Sequence, residues 1–241
     1  MIYILLPAYN EEKNLIKMFE KIQMISSKIL NITVVLVDDC SIDNTNLLRN
    51  KKKNFKLIYI KHKKNKGLSI TMESGFKHIL KKGKKNDIVI TLDSDNTHPI
   101  SIIPGMIKKI IEGNHIVIAS RFVSTSKVNG LTLWRQILSI GAKFLFKLFY
   151  PYKNLNDYTC NFRAYKFELI KELLKNKKFF KNEGFNIAAK ILLFLTSKYK
   201  DLNLLEVPFT LRYDYKIGQS KMKLTKTIGL TLRLIFLKKH Q

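Results

Sequence analysis

Residues 32–37 form an unbroken run of apolar and β-branched side chains that ends at the acidic pair Asp38-Asp39. Because the run has no polar face, it indicates a strand buried on both sides, as in a parallel sheet covered by helices. Four similar short runs occur at residues 1–6, 55–60, 88–92 and 116–119. Segments with helical periodicity lie between them, so the first half predicts an α/β fold, a mostly parallel doubly wound sheet with helices on both faces.

The acidic residues of this half lie where such a sheet binds ligands. Asp38-Asp39 follows the second strand, and Asp93-Ser94-Asp95 follows the fourth. Ligands of doubly wound sheets bind outside the carboxyl ends of the strands. Asp93 and Asp95 can reach one hard divalent cation, Mg²⁺ or Mn²⁺, which prefers oxygen ligands and shares them with substrate phosphates. Alone, an Asp-x-Asp sequence is weak evidence, since two acids at a strand end also cap a loop.

The pattern changes after residue 122. The sequence predicts a long apolar and aromatic helix at 131–149, an apolar helix at 185–195, a strand at 204–211 and an amphipathic helix at 224–237. The 241-residue chain has no internal repeat and no low-complexity linker. We therefore expect one domain, 1–241, made of an N-terminal half (1–122), a second half (123–222) and a C-terminal amphipathic helix (223–241).

The chain is strongly basic, with 44 Lys and Arg against 18 Asp and Glu and a formal charge of +26. Only six of the 44 cations are arginines. The sequence has no arginine-rich arm, no zinc-finger spacing and no aromatic RNP-type strand. We therefore expect no nucleic-acid partner. The lysines form a solvated surface, or they attract anionic lipid head groups or a phosphorylated substrate.

Cysteine content and hydropathy narrow the expected compartment. Two cysteines exclude a disulfide scaffold and a cysteine-rich zinc module. The N terminus has no signal-peptide pattern, and no stretch reaches the ~18–20 apolar residues that cross a bilayer. We expect a cytoplasmic protein without a transmembrane helix, peripheral at the cytosolic face of a membrane. The helices at 131–149 and 224–238 either lie in the membrane interface or pack on the core with a charged outer face.

Four motifs of the first half occur in a specific order. They are Leu6-Pro7-Ala8-Tyr9-Asn10-Glu11, Val35-Leu36-Val37-Asp38-Asp39, Asn65-Lys66-Gly67-Leu68 and Thr91-Leu92-Asp93-Ser94-Asp95. In this order and spacing, residues 2–122 resemble glycosyltransferase family 2, the inverting GT-A enzymes. The resemblance implies the GT-A nucleotide-diphospho-sugar transferase fold, a nucleotide-diphosphate sugar bound by the N-terminal half, and Mg²⁺ or Mn²⁺ as cofactor. One departure is Cys40, which stands where glycine is common.

Motifs of the second half narrow the resemblance. They are Gly130-Leu131-Thr132-Leu133-Trp134-Arg135, the stretch 157–165 (DYTCNFRAY), Glu183-Gly184-Phe185, Glu206-Val207-Pro208-Phe209, and Arg212 with Gly218-Gln219-Ser220-Lys221. They look like the dolichyl/polyprenyl-phosphate mannose synthase-like branch. This branch implies a hexosyltransferase that moves mannose or glucose to a polyprenyl or dolichyl phosphate bound by the second half. The alternative is a family 2 enzyme with a surface polysaccharide or glycolipid acceptor, whose hydroxyl needs a general base.

The resemblance also implies roles for single residues. Those implied for the donor nucleotide are Pro7, Tyr9, Glu11, Asp39 and Asp93. Asp93 and Asp95 are implied as metal ligands, Arg121, Arg212 and Lys221 as phosphate clamps, and Arg135 and Arg163 as contacts of the acceptor phosphate. Catalysis would then depend on Asp93, Asp95, Arg121 and Arg135. Lysine lacks the planar fork with which arginine binds phosphate, although Arg135 can also simply snorkel from an apolar helix.

Overall fold

The computed structural model of the protein describes residues 1–29, 31–50, 52–176, 178–181, 183–222 and 224–237. Of the predicted C-terminal segment, residues 223 and 238–241 lie outside the described residues.

The described residues form nine strands and seven α-helices. The strands are β1 (Ile2–Ala8), β2 (Ile32–Asp38), β3 (Lys56–Lys61), β4 (Ile88–Thr91), β5 (Ile116–Ser120), β6 (Lys127–Asn129), β7 (Arg163–Lys166), β8 (Leu204–Pro208) and β9 (Thr210–Arg212). The helices are α1 (Glu12–Ser26), α2 (Leu68–Lys82), α3 (Ile103–Ile111), α4 (Leu133–Phe149), α5 (Phe167–Lys175), α6 (Ile187–Lys198) and α7 (Leu224–Leu237). Short 3-10 helices occur at Asn44–Asn50, Ile100–Ile102 and Tyr213–Tyr215.

Seven strands form one central sheet in the order β3-β2-β1-β4-β7-β5-β8. All neighbouring pairs are parallel except those of β7, which runs antiparallel to both β4 and β5. Strands β6 and β9 form a separate two-stranded parallel sheet. The predicted mostly parallel doubly wound sheet is confirmed.

The side-chain alternation of β1 divides two cores between the faces of the sheet. Ile4 and Leu6 pack with the apolar sides of α1 and α3 on one face. Tyr3 and Leu5 pack with α2, α5 and α6 on the other. A strand with a core on each face needs an unbroken apolar sequence, which is why the runs in the sequence identified these strands.

Three local predictions differ from the structure. The strand predicted at 204–211 is two strands, because the chain leaves the central sheet at Pro208 and joins the small sheet at Thr210. The predicted helix at 185–195 begins later, at Ile187, and continues to Lys198. Strand β7 and helix α5 were not predicted from the sequence.

The two predicted halves contribute to the same sheet. Strand β7 of the second half lies between β4 and β5 of the first half, and β8 extends the sheet beyond β5. The prediction of a single domain stays a prediction, and this shared sheet supports it.

Helix α4 is unusual in its exposure, because Phe146 is the one residue of this helix that is fully buried. Its exposed apolar side chains are Leu133, Trp134, Ile137, Ile140, Phe144 and Leu148. Helix α7 lies beside it, with Phe236 in edge contact with Phe149 at 5.2 Å. In the part of the chain that the structure describes, no helix has the length and apolar run needed to cross a membrane.

Candidate active site

The carboxyl ends of β2, β1 and β4 lie side by side and carry the acidic residues that the sequence singled out. Asp39 follows β2, Glu11 follows β1, and Asp93 and Asp95 follow β4. Burial raises the pKa of Glu11, and the negative charge of Asp95 adds a smaller contribution, so these two carboxylates lie near each other. The three strand ends therefore form one continuous acidic edge.

The two acids at the end of β2 have different surroundings. Asp38 is fully buried and accepts hydrogen bonds from the Ser41 amide at 2.8 Å and the Tyr59 hydroxyl at 2.5 Å, which is a structural role. Asp39 accepts the amides of Lys66 at 2.8 Å and Gly67 at 2.7 Å. These bonds tie the Asn65-Lys66-Gly67 turn to the acidic edge, so two of the four motifs of the first half meet at Asp39.

The His62 ring contacts both Asp39 and Ser74. Its Nδ1 lies 2.7 Å from Asp39 Oδ1, and its Nε2 lies 2.9 Å from Ser74 Oγ. An ionised carboxylate can only accept, so Nδ1 carries the proton that is shared with Asp39. Cys40, the residue after Asp39, has a backbone φ angle of 67°. This is the left-handed region that favours glycine, which accounts for glycine being common at this position in the family that the motifs resemble.

The predicted donor residues of the first strand and Lys221 come together. Pro7 lies in β1, and Tyr9 and Glu11 follow that strand directly. Lys221 Nζ donates to the carbonyl oxygens of Tyr9 and Asn10 and to Glu11 Oε1, the last at 2.6 Å. Burial raises the pKa of Glu11, and the hydrogen bonds from Lys221 and Asn14 partly offset this. The sequence-distant Lys221 thus belongs to the same site as the first motif.

The Asp93-Ser94-Asp95 loop holds two carboxylates with unequal partners. Asp93 Oδ1 accepts one hydrogen bond, from Asn161 Nδ2 at 3.2 Å, and burial raises its pKa. Asp95 Oδ1 accepts the Thr97 hydroxyl at 2.7 Å, and Asp95 Oδ2 lies 2.6 Å from Lys216 Nζ. Burial would raise the pKa of Asp95, but the Lys216 ammonium outweighs it and lowers the pKa.

This loop fits a divalent ion that is shared with a ligand. Among the described residues, no cluster of three or more acidic, His or Cys side chains is arranged to hold a metal alone. Mg²⁺-type sites need only one or two carboxylates when substrate phosphates supply the other oxygens. Within the described residues, the buried oxygens Ser94 Oγ and Asn161 Oδ1 at this loop have no hydrogen-bond partner. Buried polar atoms are normally satisfied, so these two indicate a place for a polar ligand.

Arg121 follows β5 and forms a bidentate ion pair with Asp157. Its Nε and Nη2 donate to the two oxygens of that carboxylate at 2.8 and 2.7 Å, and Nη2 also donates to Thr159 Oγ1. In the part of the chain that the structure describes, Nη1 of Arg121 is left without a hydrogen bond. Burial would lower the pKa of Arg121, but Asp157 outweighs it and raises the pKa, and Asp93 adds a smaller contribution, so the guanidinium lies near the Asp93-Ser94-Asp95 loop.

Arg135 lies in the first turn of α4 and is connected to the acidic edge. Its Nη1 donates to the Tyr213 hydroxyl, and its guanidinium lies 5.4 Å from the centre of that ring. Lys216 Nζ also lies 5.4 Å from the centre of the Tyr213 ring. A line of contacts therefore runs from Arg135 through Tyr213 and Lys216 to Asp95.

Two of the predicted arginines have other partners. Arg163 is fully buried, and its Nη1 and Nη2 donate to the carbonyl oxygens of Ala188 at 2.6 Å and Tyr158 at 2.7 Å. The structure does not bring it to a surface where an acceptor phosphate binds. Arg212 pairs with Asp214 at 2.7 Å and lies 3.6 Å above the Tyr215 ring, at a cavity of about 410 Å³ next to residues 96–101.

Comparison with known proteins decides the family. The model of Glycosyl transferase family 2 matches residues 3–174. A dolichol-phosphate mannosyltransferase of Pyrococcus furiosus is 32% identical over 235 residues, which is 97% of this chain and 62% of that protein. The chain belongs to glycosyltransferase family 2. The family that the motifs predicted is confirmed, and this family 2 chain spans less than two thirds of the length of that relative.

Other similarities agree with the branch and the fold. A UDP-N-acetylglucosamine–dolichyl-phosphate N-acetylglucosaminyltransferase of Methanococcus voltae is 27% identical to the family 2 chain, covering 91% of it and 89% of that protein. Glucosyl-3-phosphoglycerate synthase of Mycobacterium tuberculosis, solved with Mn²⁺, UDP and phosphoglyceric acid, matches with a TM-score of 0.70 at 15% identity. The match covers 99% of this chain and 78% of the synthase chain. The predicted GT-A fold is confirmed, and so is the resemblance to the polyprenyl-phosphate sugar transferase branch.

Sequence reasoning missed several side chains of the site in this family 2 chain. Lys216, Tyr213 and Asn161 contact predicted residues directly. Lys216 is one lysine in a chain of many, so neither its type nor its spacing set it apart. Asn161 and Tyr213 stood inside or beside quoted motifs, and only their positions in the fold show which carboxylate or guanidinium each one meets.

Proposed function

We propose that this chain transfers a hexose, mannose or glucose, from a nucleotide-diphosphate sugar to a polyprenyl or dolichyl phosphate, with inversion at the anomeric carbon. Two of the relatives described above are named for transfer to dolichyl phosphate, which supports this acceptor class. The donor is assigned to the acidic edge, with Tyr9, Glu11 and Asp39 at the nucleoside and Lys221 at the phosphates.

The observation that supports a lipid phosphate as the acceptor is the composition of helix α4. Arg135 lies in its first turn, and a stripe of exposed apolar side chains runs on along the same helix. A phosphate prefers a helix N terminus with a guanidinium. An isoprenoid chain attached to that phosphate would then lie along Trp134, Ile137 and the following apolar residues. A polysaccharide acceptor has no use for such a stripe.

Asp93 and Asp95 are the residues that would hold Mg²⁺ or Mn²⁺ together with the donor diphosphate. The bound ion would supply positive charge where the leaving diphosphate gains negative charge. Arg121 is placed to add a second positive charge through its free Nη1. Asn161 orients the Asp93 carboxylate by a hydrogen bond to Oδ1.

The acceptor phosphate acts as its own nucleophile in the proposed reaction. One of its oxygens forms a bond to the anomeric carbon on the face opposite the diphosphate, and the bond from that carbon to the diphosphate oxygen breaks. A phosphate monoester has a second pKa of ~6, so at neutral pH the attacking oxygen carries no proton. The step therefore needs no general base, whereas transfer to a hydroxyl would.

The proposal is tested by incubating the purified chain with undecaprenyl phosphate, Mn²⁺ or Mg²⁺, and UDP-glucose or GDP-mannose. We expect a lipid-linked sugar and one equivalent of free nucleoside diphosphate. Undecaprenol, which has a hydroxyl in place of the phosphate, is the matched control and should give no product. Transfer to a glycolipid hydroxyl but not to the phosphate would support the alternative acceptor, and no transfer from any donor would contradict both.

We further propose that the exposed face of α4 and α7 binds the cytosolic surface of a membrane. Helix α7, which contacts α4 through Phe236 and Phe149, also exposes apolar side chains, namely Ile228, Leu232 and Phe236. Lys147, Lys226 and Arg233 are basic residues of the same two helices, and the whole chain carries a charge of +26. An apolar face bordered by cations suits an anionic bilayer surface.

Trp134 is the single tryptophan of the chain and is 75% exposed on this face. We expect its emission to shift to the blue when vesicles containing phosphatidylglycerol are added, because the indole moves from water into the interface. Salt should weaken the binding, since the lysines contribute electrostatically. Phe144→Asn should reduce vesicle affinity by about tenfold or more, the effect of losing one buried aromatic side chain.

Ile111→Asn provides the matched control for Phe144→Asn, because Ile111 is also 75% exposed but lies on α3. It should leave vesicle binding unchanged. An unshifted Trp134 emission, or an equal loss of binding in both variants, would contradict the assignment of this face.

A further inference from the structure

Lys216 is a member of the acidic edge to which no motif assigned a role. Its side chain is 10% exposed, and that of its partner Asp95 is 13% exposed. Lys216 Nζ lies 2.6 Å from Asp95 Oδ2, so the ammonium group lies beside one of the two carboxylates assigned to the divalent ion.

Residues 213–222, which we call the strap, bring Lys216 into contact with Asp95 and Lys221 into contact with Glu11. Asn14 holds the strap through two hydrogen bonds to the backbone of Ile217, at 3.0 and 3.1 Å. Lys221 fastens its other end to the Asn10 carbonyl at 2.7 Å and to Glu11. Because these anchors do not involve the Lys216 side chain, removal of its ammonium group leaves the strap attached.

A cation at Asp95 and the Lys216 ammonium group compete for the same oxygen. Lys216 Nζ lies 2.6 Å from Asp95 Oδ2, and Asp95 Oδ1 already accepts the Thr97 hydroxyl. A divalent ion that binds there by itself is repelled by the ammonium group, or displaces it and leaves it mostly buried without the Asp95 carboxylate, and either is costly. A diphosphate that arrives with the ion supplies new negative charge for the displaced ammonium group.

We infer that Lys216 is a built-in counter-cation of Asp95 that makes binding of the divalent ion depend on the nucleotide diphosphate. The inference rests on the proposed function, because it takes Asp93 and Asp95 as metal ligands and the diphosphate as their partner. Such dependence is a coupling free energy between two ligands, and it works in both directions. It would keep the site from filling with metal when no donor is present.

The test is to measure Mn²⁺ binding by electron paramagnetic resonance, with and without UDP, for the wild-type chain and Lys216→Met. We expect wild type to bind Mn²⁺ weakly alone and more tightly with UDP. Lys216→Met should bind Mn²⁺ alone about tenfold or more tightly than wild type, since two unit charges a few ångströms apart interact by more than one tenfold step. The enhancement by UDP should fall correspondingly in the variant.

Two controls isolate the position of the charge. Lys216→Arg keeps a cation next to Asp95 and should retain most of the UDP dependence. Lys64→Met removes the same charge from an exposed position outside these contacts and should behave as wild type. Unchanged or weaker binding of Mn²⁺ alone by Lys216→Met would overturn the inference. Absence of Mn²⁺ and UDP binding by the wild-type chain would instead overturn the donor site itself.

Discussion

Asp93→Asn is expected to lower the rate of sugar transfer on the order of 10³-fold. The change removes one negative charge from the Asp93-Ser94-Asp95 loop but keeps the size of the side chain and an oxygen for the Asn161 amide. In the proposed reaction, several kcal/mol of stabilisation at the leaving diphosphate would depend on the bound ion, and each 1.36 kcal/mol corresponds to one factor of ten in rate. Steady-state kinetics at saturating Mn²⁺ measures the transfer rate, and calorimetry with UDP present measures the affinity for Mn²⁺.

Asp87→Asn is the matched control, because Asp87 precedes the same strand, β4, at the opposite edge of the sheet. It is also buried, and it accepts hydrogen bonds from the N-terminal ammonium group at 2.8 Å and from the Lys84 amide at 2.7 Å. This variant should lose some stability but keep its affinity for Mn²⁺ with UDP. A transfer rate of Asp93→Asn close to that of wild type would remove Asp93 from the proposed mechanism.

The part of the fold that the sequence predicted is the part in which both sheet faces are buried. Strands β1, β2 and β4 consist almost entirely of apolar and β-branched residues, so each is visible as a strand in one segment of sequence. The apolar run was nonetheless placed at residues 1–6, whereas β1 continues to Ala8. Beyond Leu5, β1 pairs only with β2, because the register with β4 ends at Leu5 opposite Thr91. The missing amide of Pro7 is therefore tolerated.

The part that the sequence did not predict depends on contacts between distant segments. Strand β7 is four residues long and begins and ends with a basic residue, so it lacks an apolar run. Arg163 was assigned to the acceptor phosphate because the stretch 157–165 resembles the polyprenyl-phosphate branch. Its burial against two carbonyl oxygens follows from the position of β7 between β4 and β5, and neighbouring residues in the sequence carry no sign of that position.

The candidate site likewise has a part that the sequence predicted and a part that it did not. The acids follow predicted strands, so the sheet rule alone placed Asp39 and Asp93 at one edge. The basic residues come from the strap and from α4, which are irregular or exposed segments, and their partners could not be derived from periodicity. Hence Lys216 was overlooked, although it is the cation in direct contact with Asp95.

Asp157→Asn is expected to lower the free energy of unfolding by about 3 kcal/mol or more, the effect of leaving one member of a buried ion pair without its partner. The Asp157 side chain is fully buried, and Arg121 is 17% exposed. The carboxylate also accepts the Arg121 amide at 3.0 Å and the Cys160 amide at 3.0 Å. For a chain of this size the melting temperature should fall by about 6–12 °C. Glu112→Gln, in an exposed pair with Lys109, is the control and should scarcely change it.

The pH dependence of this difference identifies the charge as its cause. Burial would raise the pKa of Asp157, but the charge and hydrogen bonds of Arg121 outweigh it and lower the pKa from 3.8 to about 2. A lowered carboxyl pKa stabilises the fold at all pH values above the unfolded pKa, and this stabilisation is lost as the pH falls from about 4 to about 2. The lost part corresponds to about 2 kcal/mol. Denaturant unfolding at pH 7 and pH 3 should therefore give a smaller difference between wild type and Asp157→Asn at pH 3. An equal difference at both pH values would contradict this cause. It would show that packing around residue 157, and not the ion pair with Arg121, accounts for the lost stability.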